Sequence, residues 1–342
     1  MRRTPRLSWL TIGLITLLLA APVSAANPAT PTSGTPASQP EPPASGPGSD
    51  DTRFPGAHAT HYGTDPGGFW IWEPTTGADS ATPVAEGRLP VILYLSGCCG
   101  NGVWPTPEEV DPWLTHLARQ GYVIIAPVYN QMNPLDDSKS RLKEALKELE
   151  KPGHAQVDLT KFGAIGYSFG GMQAVHYAAD AAAEGLPVPS ALFLTAPCVA
   201  NGFCLDMPTT NLLYPDGMKA IVIGYEDDTV IGLEEPKKVF SLLTTLPVAD
   251  REFIEMKSDW HGQPPIIAQH ETTFQDLNAA DCYGIWKLSD ALFACTIAGD
   301  LCEYALGNTP EQRYMGVWSD GVPVTELQVS SDPAKPGATP AP

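Results

Sequence analysis

Apolar, β-branched or aromatic runs recur through the middle of the chain: FWIWEP from Phe69, LPVILYLSG from Leu89, YVIIAPV from Tyr122, FGAIGYS from Phe162, ALFLTAP from Ala191, AIVIGYE from Ala220 and REFIEMKS from Arg251. The central runs are continuous rather than alternating, as strands read when helices cover both faces of a parallel sheet. Between them lie amphipathic segments with helical spacing, PEEVDPWLTHLARQ, SKSRLKEALKELEK, GGMQAVHYAADAAAE and EEPKKVFSLLTTL. This β-α alternation predicts an α/β domain with a mostly parallel, doubly wound sheet flanked by helices. Ligands of such sheets bind beyond the carboxyl ends of the strands, so the residues that end each run are the ones to search for chemistry.

After FGAI stands Gly166-Tyr167-Ser168-Phe169-Gly170-Gly171, followed by a helical pattern. A serine on so tight a strand-to-helix turn needs flanking residues without bulk, and its hydroxyl is held at a helix N-terminus. After AIVIGYE come Asp227 and Asp228. Asp228, standing before Thr229 and Val230, is the better placed to orient an imidazole, with Asp227 and Glu226 as fallbacks. After REFIEMKS come Asp259, Trp260 and His261, and a histidine in that loop can serve as general base and then general acid. The other histidines read as packing or surface groups: His58 and His61 precede the sheet, His116 and His176 fall in helical segments, and His154 lies in a loop. His270, nine residues beyond His261 and inside the expected next helix, is next in line as base.

The order serine, acid, histidine is that of α/β-hydrolases, and residues 65–280 resemble that superfamily. GYSFGGMQAV, GYEDDTV and SDWHG are similar to the matching stretches of its secreted esterase branch, which includes dienelactone hydrolases, chlorophyllase-like esterases and cutinase-like polyester hydrolases. The resemblance implies Ser168 as nucleophile, Asp228 as orienting acid and His261 as base. It also implies an oxyanion hole from the backbone N–H groups of Phe169 and Cys98. The second lies in Ser96-Gly97-Cys98-Cys99-Gly100, where the family often carries H-G-x-x-G and this chain has serine for the histidine. The activity implied is cleavage of small-molecule or polymeric carboxylic esters through an acyl-enzyme intermediate, with no metal or organic cofactor. Lipase, polyester hydrolase or exopeptidase activity on the same fold, or a catalytically silent binding protein, are the alternatives. Trp104, Tyr129, Tyr167 and Trp260 are expected to line an apolar pocket.

The N-terminus predicts a secreted or periplasmic domain. Arginines at 2, 3 and 6, an apolar stretch from Leu7 to Ala21, and Val23-Ser24-Ala25 have the layout of a signal peptide over residues 1–25, an uncleaved anchor helix being the competing reading. Residues 26–55 and 329–342, rich in Pro, Ser, Thr and Ala, are expected to be a disordered linker and tail around a domain at 56–328. The 20 Lys and Arg against 39 Asp and Glu, a net charge of −19, argue against nucleic acid or an anionic membrane as partner.

Seven cysteines in an exported chain favour disulfides and leave an odd thiol. Short spacing favours Cys198 with Cys204 and Cys295 with Cys302, and one of Cys98 and Cys99 is expected to pair with Cys282. A thiol nucleophile or zinc site at Cys98-Cys99 is the weaker reading, since neither a base nor C-x₂-C spacing accompanies it. Residues 271–328 read as a disulfide-braced helical extension, either a lid or a brace.

Overall fold

The apolar runs form strands and the amphipathic segments between them form helices, because only that pairing buries the continuous runs on both sides. The computed structural model describes residues 35–333 except 86, 99–102, 105, 131, 200–203, 205–206 and 276, with only the backbone of 103 and 104. The expected signal peptide, residues 26–34 and the chain beyond 333 lie outside the described residues.

In chain order the elements are β1 (Gly56–Tyr62), β2 (Phe69–Thr75), β3 (Leu89–Leu95), β4 (Gly97–Cys98), β5 (Val103–Trp104), α1 (Asp111–Gln120), β6 (Val123–Pro127), α2 (Pro134–Leu149), β7 (Val157–Tyr167) and α3 (Phe169–Asp180). There follow β8 (Ala191–Thr195), β9 (Lys219–Tyr225), α4 (Glu234–Ser241) and β10 (Arg251–Met256). A π-helical segment (Ala280–Trp286) then runs into α5 (Lys287–Ala298), before the short α6 (Cys302–Ala305) and α7 (Pro310–Arg313) and a last strand, β11 (Gln328–Ser330).

One nine-stranded sheet has the order β1-β2-β6-β3-β7-β8-β9-β10-β11. Strands β6 through β10 are parallel, and β1, β2 and β11 add antiparallel edges. The side chains of β3 divide the core in two. Val91, Leu93 and Leu95 pack with Leu142 of α2, Met172 of α3 and Phe240 of α4, whereas Ile92 and Tyr94 pack with Trp113 of α1 and Leu288 of α5. From β3 the chain builds first toward β6 on one side and then through β7 to β10 on the other. The sheet order thus reverses beside β3, the place where sheets of this kind bind ligands at the carboxyl ends of their strands.

Two expectations about the ends are corrected. Residues 36–55 are not a disordered linker, for the proline-rich strap borrows partners from the domain. Ala37 O accepts from Gln263 N at 2.8 Å, Gln39 Nε2 donates to Pro264 O and Pro265 O at 3.0 and 3.1 Å, and Gly48 N donates to the buried Asp290 carboxylate at 2.8 Å. A chain this rich in proline buries little by itself but loses less entropy when another surface orders it. Nor is all of 329–342 a tail, because Val329 and Ser330 lie in β11 and pair with β10. His58 and His61, expected ahead of the sheet, lie in its edge strand β1.

The C-terminal extension is a structural layer. Helix α5 covers the sheet beside α1 and sets the Phe293 ring on Gly163 of β7, where a Cβ would collide with it. Cys198–Cys204 and Cys295–Cys302 form the expected disulfides. The expected bridge to Cys282 is not made. Cys282 is a free buried thiol in the π-helical segment, its carbonyl packed against Gly48 of the strap, while Cys98 is disulfide-bonded and Cys99 lies outside the described residues. No helix among the described residues is long and apolar enough to cross a membrane. Gly163→Ala is expected to lower the unfolding free energy in urea by about 2 kcal/mol through overpacking, with part recovered when Phe293→Leu is added.

Candidate active site

The turn from β7 into α3 is held by close approaches that side chains would block. Ser168 has φ 52° and ψ −121°, a left-handed conformation that a non-glycine residue adopts only where its surroundings impose it. A Cβ on Gly166 would stand 2.7 Å from Gly170 O and from Gly171 Cα, one on Gly170 would run into the Leu95 and Ser96 carbonyls, and one on Gly171 would strike Pro197. The Ser168 N–H is tied to Thr195 O of β8 at 3.0 Å. The serine hydroxyl therefore stands at the head of α3, between the ends of β3 and β8, and the residue is only 7% exposed.

Asp228 follows β9, and its two carboxylate oxygens divide their work. Oδ1 accepts from the N–H groups of Val230 and Ile231, each at 2.9 Å, and Oδ2 lies 2.7 Å from Nδ1 of His270. Nε2 of His270 lies 3.0 Å from Ser168 Oγ. With its Nδ1–H donated to the carboxylate, a neutral imidazole presents the Nε2 lone pair to the serine hydroxyl. Burial acts to raise the Asp228 carboxyl, but the hydrogen bond and charge of His270 and the two backbone donors outweigh it and hold the group below the ordinary carboxylate range. His270 and Asp228 are 1% and 6% exposed, so the relay is shielded from water.

The histidine that meets Ser168 is thus His270, and the expectation for His261 is corrected. The backbone of residues 259–266 folds on itself through the Asp259–Ile266 bridge, and the His261 ring turns outward to Asp320 Oδ2 at 2.7 Å. The chain then returns beside β9: Asp227 N donates to Ala268 O at 2.9 Å, and Ser258 Oγ joins the Asp227 carboxylate to Ala268 N. This return delivers His270, in a 3-10 turn (His270–Thr273) rather than a regular helix, onto Asp228. The fallback carboxylates are used otherwise, Asp227 by Ser258 and Glu226 by Lys257 and the Ser258 N–H. One signal for His270 was present in the sequence: the apolar Ile266-Ile267-Ala268 ahead of it marks a segment returning to the core, and Ile266 and Ala268 are fully buried.

Of the four aromatic residues expected to line a pocket, Tyr129 and Tyr167 support the site from behind. Tyr129 is fully buried, its hydroxyl 2.8 Å from both the Ser96 and Gly97 carbonyl oxygens, and its ring stacks on Phe169 at 6.1 Å. It clamps the backbone leading to Cys98, which pairs with Val103 in the β4-β5 ladder. Burial pushes the Tyr129 phenol well above its ordinary range, so it stays a neutral donor. Tyr167 is also fully buried, and its hydroxyl donates to His270 O at 3.1 Å. Trp260 stands 68% exposed on the turned-out loop beside His261, and the side chain of Trp104 lies outside the described residues. Phe169 heads α3, where the first helical N–H groups have no acceptor within the helix.

No protein-family model matches the chain, and no curated protein matches it significantly. Tyr129→Phe is expected to cost about 1–2 kcal/mol in chemical denaturation, the loss when buried carbonyls forfeit a donor. Because the folded Asp228 carboxyl lies below its unfolded value of about 3.9, its ionisation contributes stability above that pH. That contribution falls away as acid protonates the native carboxylate. The unfolding free-energy difference between the native chain and Asp228→Asn should shrink as the pH falls below about 4.

Proposed function

We propose that this chain is a serine hydrolase of the α/β-hydrolase superfamily that cleaves carboxylic esters outside the cytoplasm. The observation that carries the reading is the buried relay Ser168–His270–Asp228, with the serine on a strained strand-to-helix turn. His270 Nε2 takes the Ser168 proton as Oγ attacks the acyl carbon, and Asp228 steadies the imidazolium. The Phe169 N–H at the head of α3 and the Cys98 N–H at the Tyr129-clamped turn hold the developing oxyanion, a donor of this kind contributing about 3 kcal/mol. His270 then protonates the leaving alcohol and activates the water that releases the acid.

The position of Ser168 at the point where the sheet order reverses and the two short-loop disulfides also support this reading. Disulfides of that kind persist in oxidising compartments.

A fluorophosphonate probe should add one adduct, mapped by mass spectrometry to Ser168. His270→Ala should cut labelling and p-nitrophenyl ester hydrolysis by about 10⁴-fold or more, while His261→Ala should stay within about twofold. A folded protein without adduct would sink the hydrolase reading and favour a silent binding protein; retained activity in His270→Ala would overturn the base assignment.

A further inference from the structure

Tyr167 ends β7 and immediately precedes Ser168, yet its side chain is not one of the three relay groups. It is fully buried, in the core face that also holds Trp113 of α1 and Leu288 of α5. From there its hydroxyl crosses to the returning segment and donates to the His270 carbonyl oxygen at 3.1 Å. Its ring lies 5.2 Å from the His270 ring, and Phe274, which closes the same 3-10 turn, meets it edge-on at 5.6 Å. A side chain on the strand that carries the serine thus grips the backbone, and packs on the ring, of the residue that must receive the serine proton.

The imidazole and the backbone of His270 are held from different places. Asp228 Oδ2, 2.7 Å from Nδ1, fixes the ring. The backbone ahead of it is set by Ala268, whose carbonyl accepts from Asp227 N and whose N–H donates to Ser258 Oγ, and by Gln269 N, which donates to Thr272 Oγ1. Those contacts tie the segment to the end of β9, to the Ser258 loop and to itself. The Tyr167 hydroxyl ties it to the serine's own strand. The 3.0 Å from His270 Nε2 to Ser168 Oγ is a separation between two turns, and misplacing a reacting group by about 1 Å can cost about 100-fold in rate. Tyr167 spans the same gap with a bond that the reaction does not alter. Burial pushes its phenol above the ordinary range, so it stays a donor. With no surface open to solvent, it has no face to offer a substrate.

We propose that Tyr167 is a positioning residue for the general base: its hydroxyl holds His270 at proton-transfer distance from Ser168 and affects the rate only through that imidazole. The inference rests on Ser168–His270–Asp228 being the relay of a serine hydrolase.

Tyr167→Phe keeps the ring and removes the hydroxyl. Per site titrated with a fluorophosphonate, its kcat for p-nitrophenyl butyrate should fall about tenfold while KM stays within about twofold. The adduct on Ser168 should form more slowly by about the same factor. In the His270→Ala background, where no imidazole remains to be positioned, the same substitution should leave the residual rate unchanged within about twofold. A hydroxyl that served only packing, or that acted on the oxyanion donors, would lower the rate in both backgrounds. Circular dichroism and thermal melts establish that each variant is folded. Should Tyr167→Phe not fold, Phe274→Leu, which removes the ring edge that steadies Tyr167, should lower kcat about threefold and likewise lose its effect in His270→Ala. An unchanged kcat in folded Tyr167→Phe, a rise in KM in place of the kcat loss, or an equal loss in both backgrounds would overturn the positioning role and leave the hydrolase, whose native chain still forms the adduct. A folded native chain without adduct would overturn the hydrolase reading and this role with it.

Discussion

The contact on which the rest of this protein depends is the approach of the β7–α3 turn to the end of β3, where Gly170 lies against the Leu95 and Ser96 carbonyls with no room for a side chain. This contact brings the serine turn and the Ser96–Cys98 backbone to one point. It requires parallel neighbours that end side by side, and β3 and β7 pair in parallel up to Leu95 and Gly166. It also requires a turn that tolerates a left-handed serine, and the Ser168 N–H bond to β8 supplies the hold. Strain kept in this way persists only where the surrounding packing determines it, and both core faces meet at this turn.

Around that contact the remaining elements act as supports. Tyr129 clamps the carbonyls before Cys98, and Tyr167 ties the His270 carbonyl to the strand that carries the serine. The turned-out loop is held by the far end of the chain, since Thr325 donates its N–H and hydroxyl to Asp259 Oδ2 at 2.8 and 2.9 Å. The strap closes the same side by bonding Gln263, Pro264 and Pro265. Residues that read as linker and extension therefore fix the path by which His270 reaches Asp228.

The parallel strands and main helices were legible because their signal is periodic and continuous, and a buried parallel strand can hardly be written otherwise. Ser168 and Asp228 were legible for a related reason: each sits at the end of a strand, in a local sequence whose turn chemistry leaves few alternatives. The edge strand β1 was not legible, because its residues are only partly buried and show no clean alternation. The strap was misread because composition reports what a segment can bury alone, not what another surface offers it. His261 drew the assignment of base because it stands first after the last parallel strand.

The sequence by itself determined a doubly wound α/β domain, a serine on a glycine-cleared turn, a carboxylate at a strand end two strands away and two short-loop disulfides, since each follows from residues near one another in the chain. Only the tertiary structure decided which histidine completes the relay, what became of Cys282, and that the proline-rich strap is ordered against the domain. Those outcomes depend on contacts between residues tens to hundreds of positions apart, such as Asp227 with Ala268, Asp259 with Thr325 and Gly48 with Asp290. Their free energies exist only once the chain has folded back on itself, so no local pattern records them.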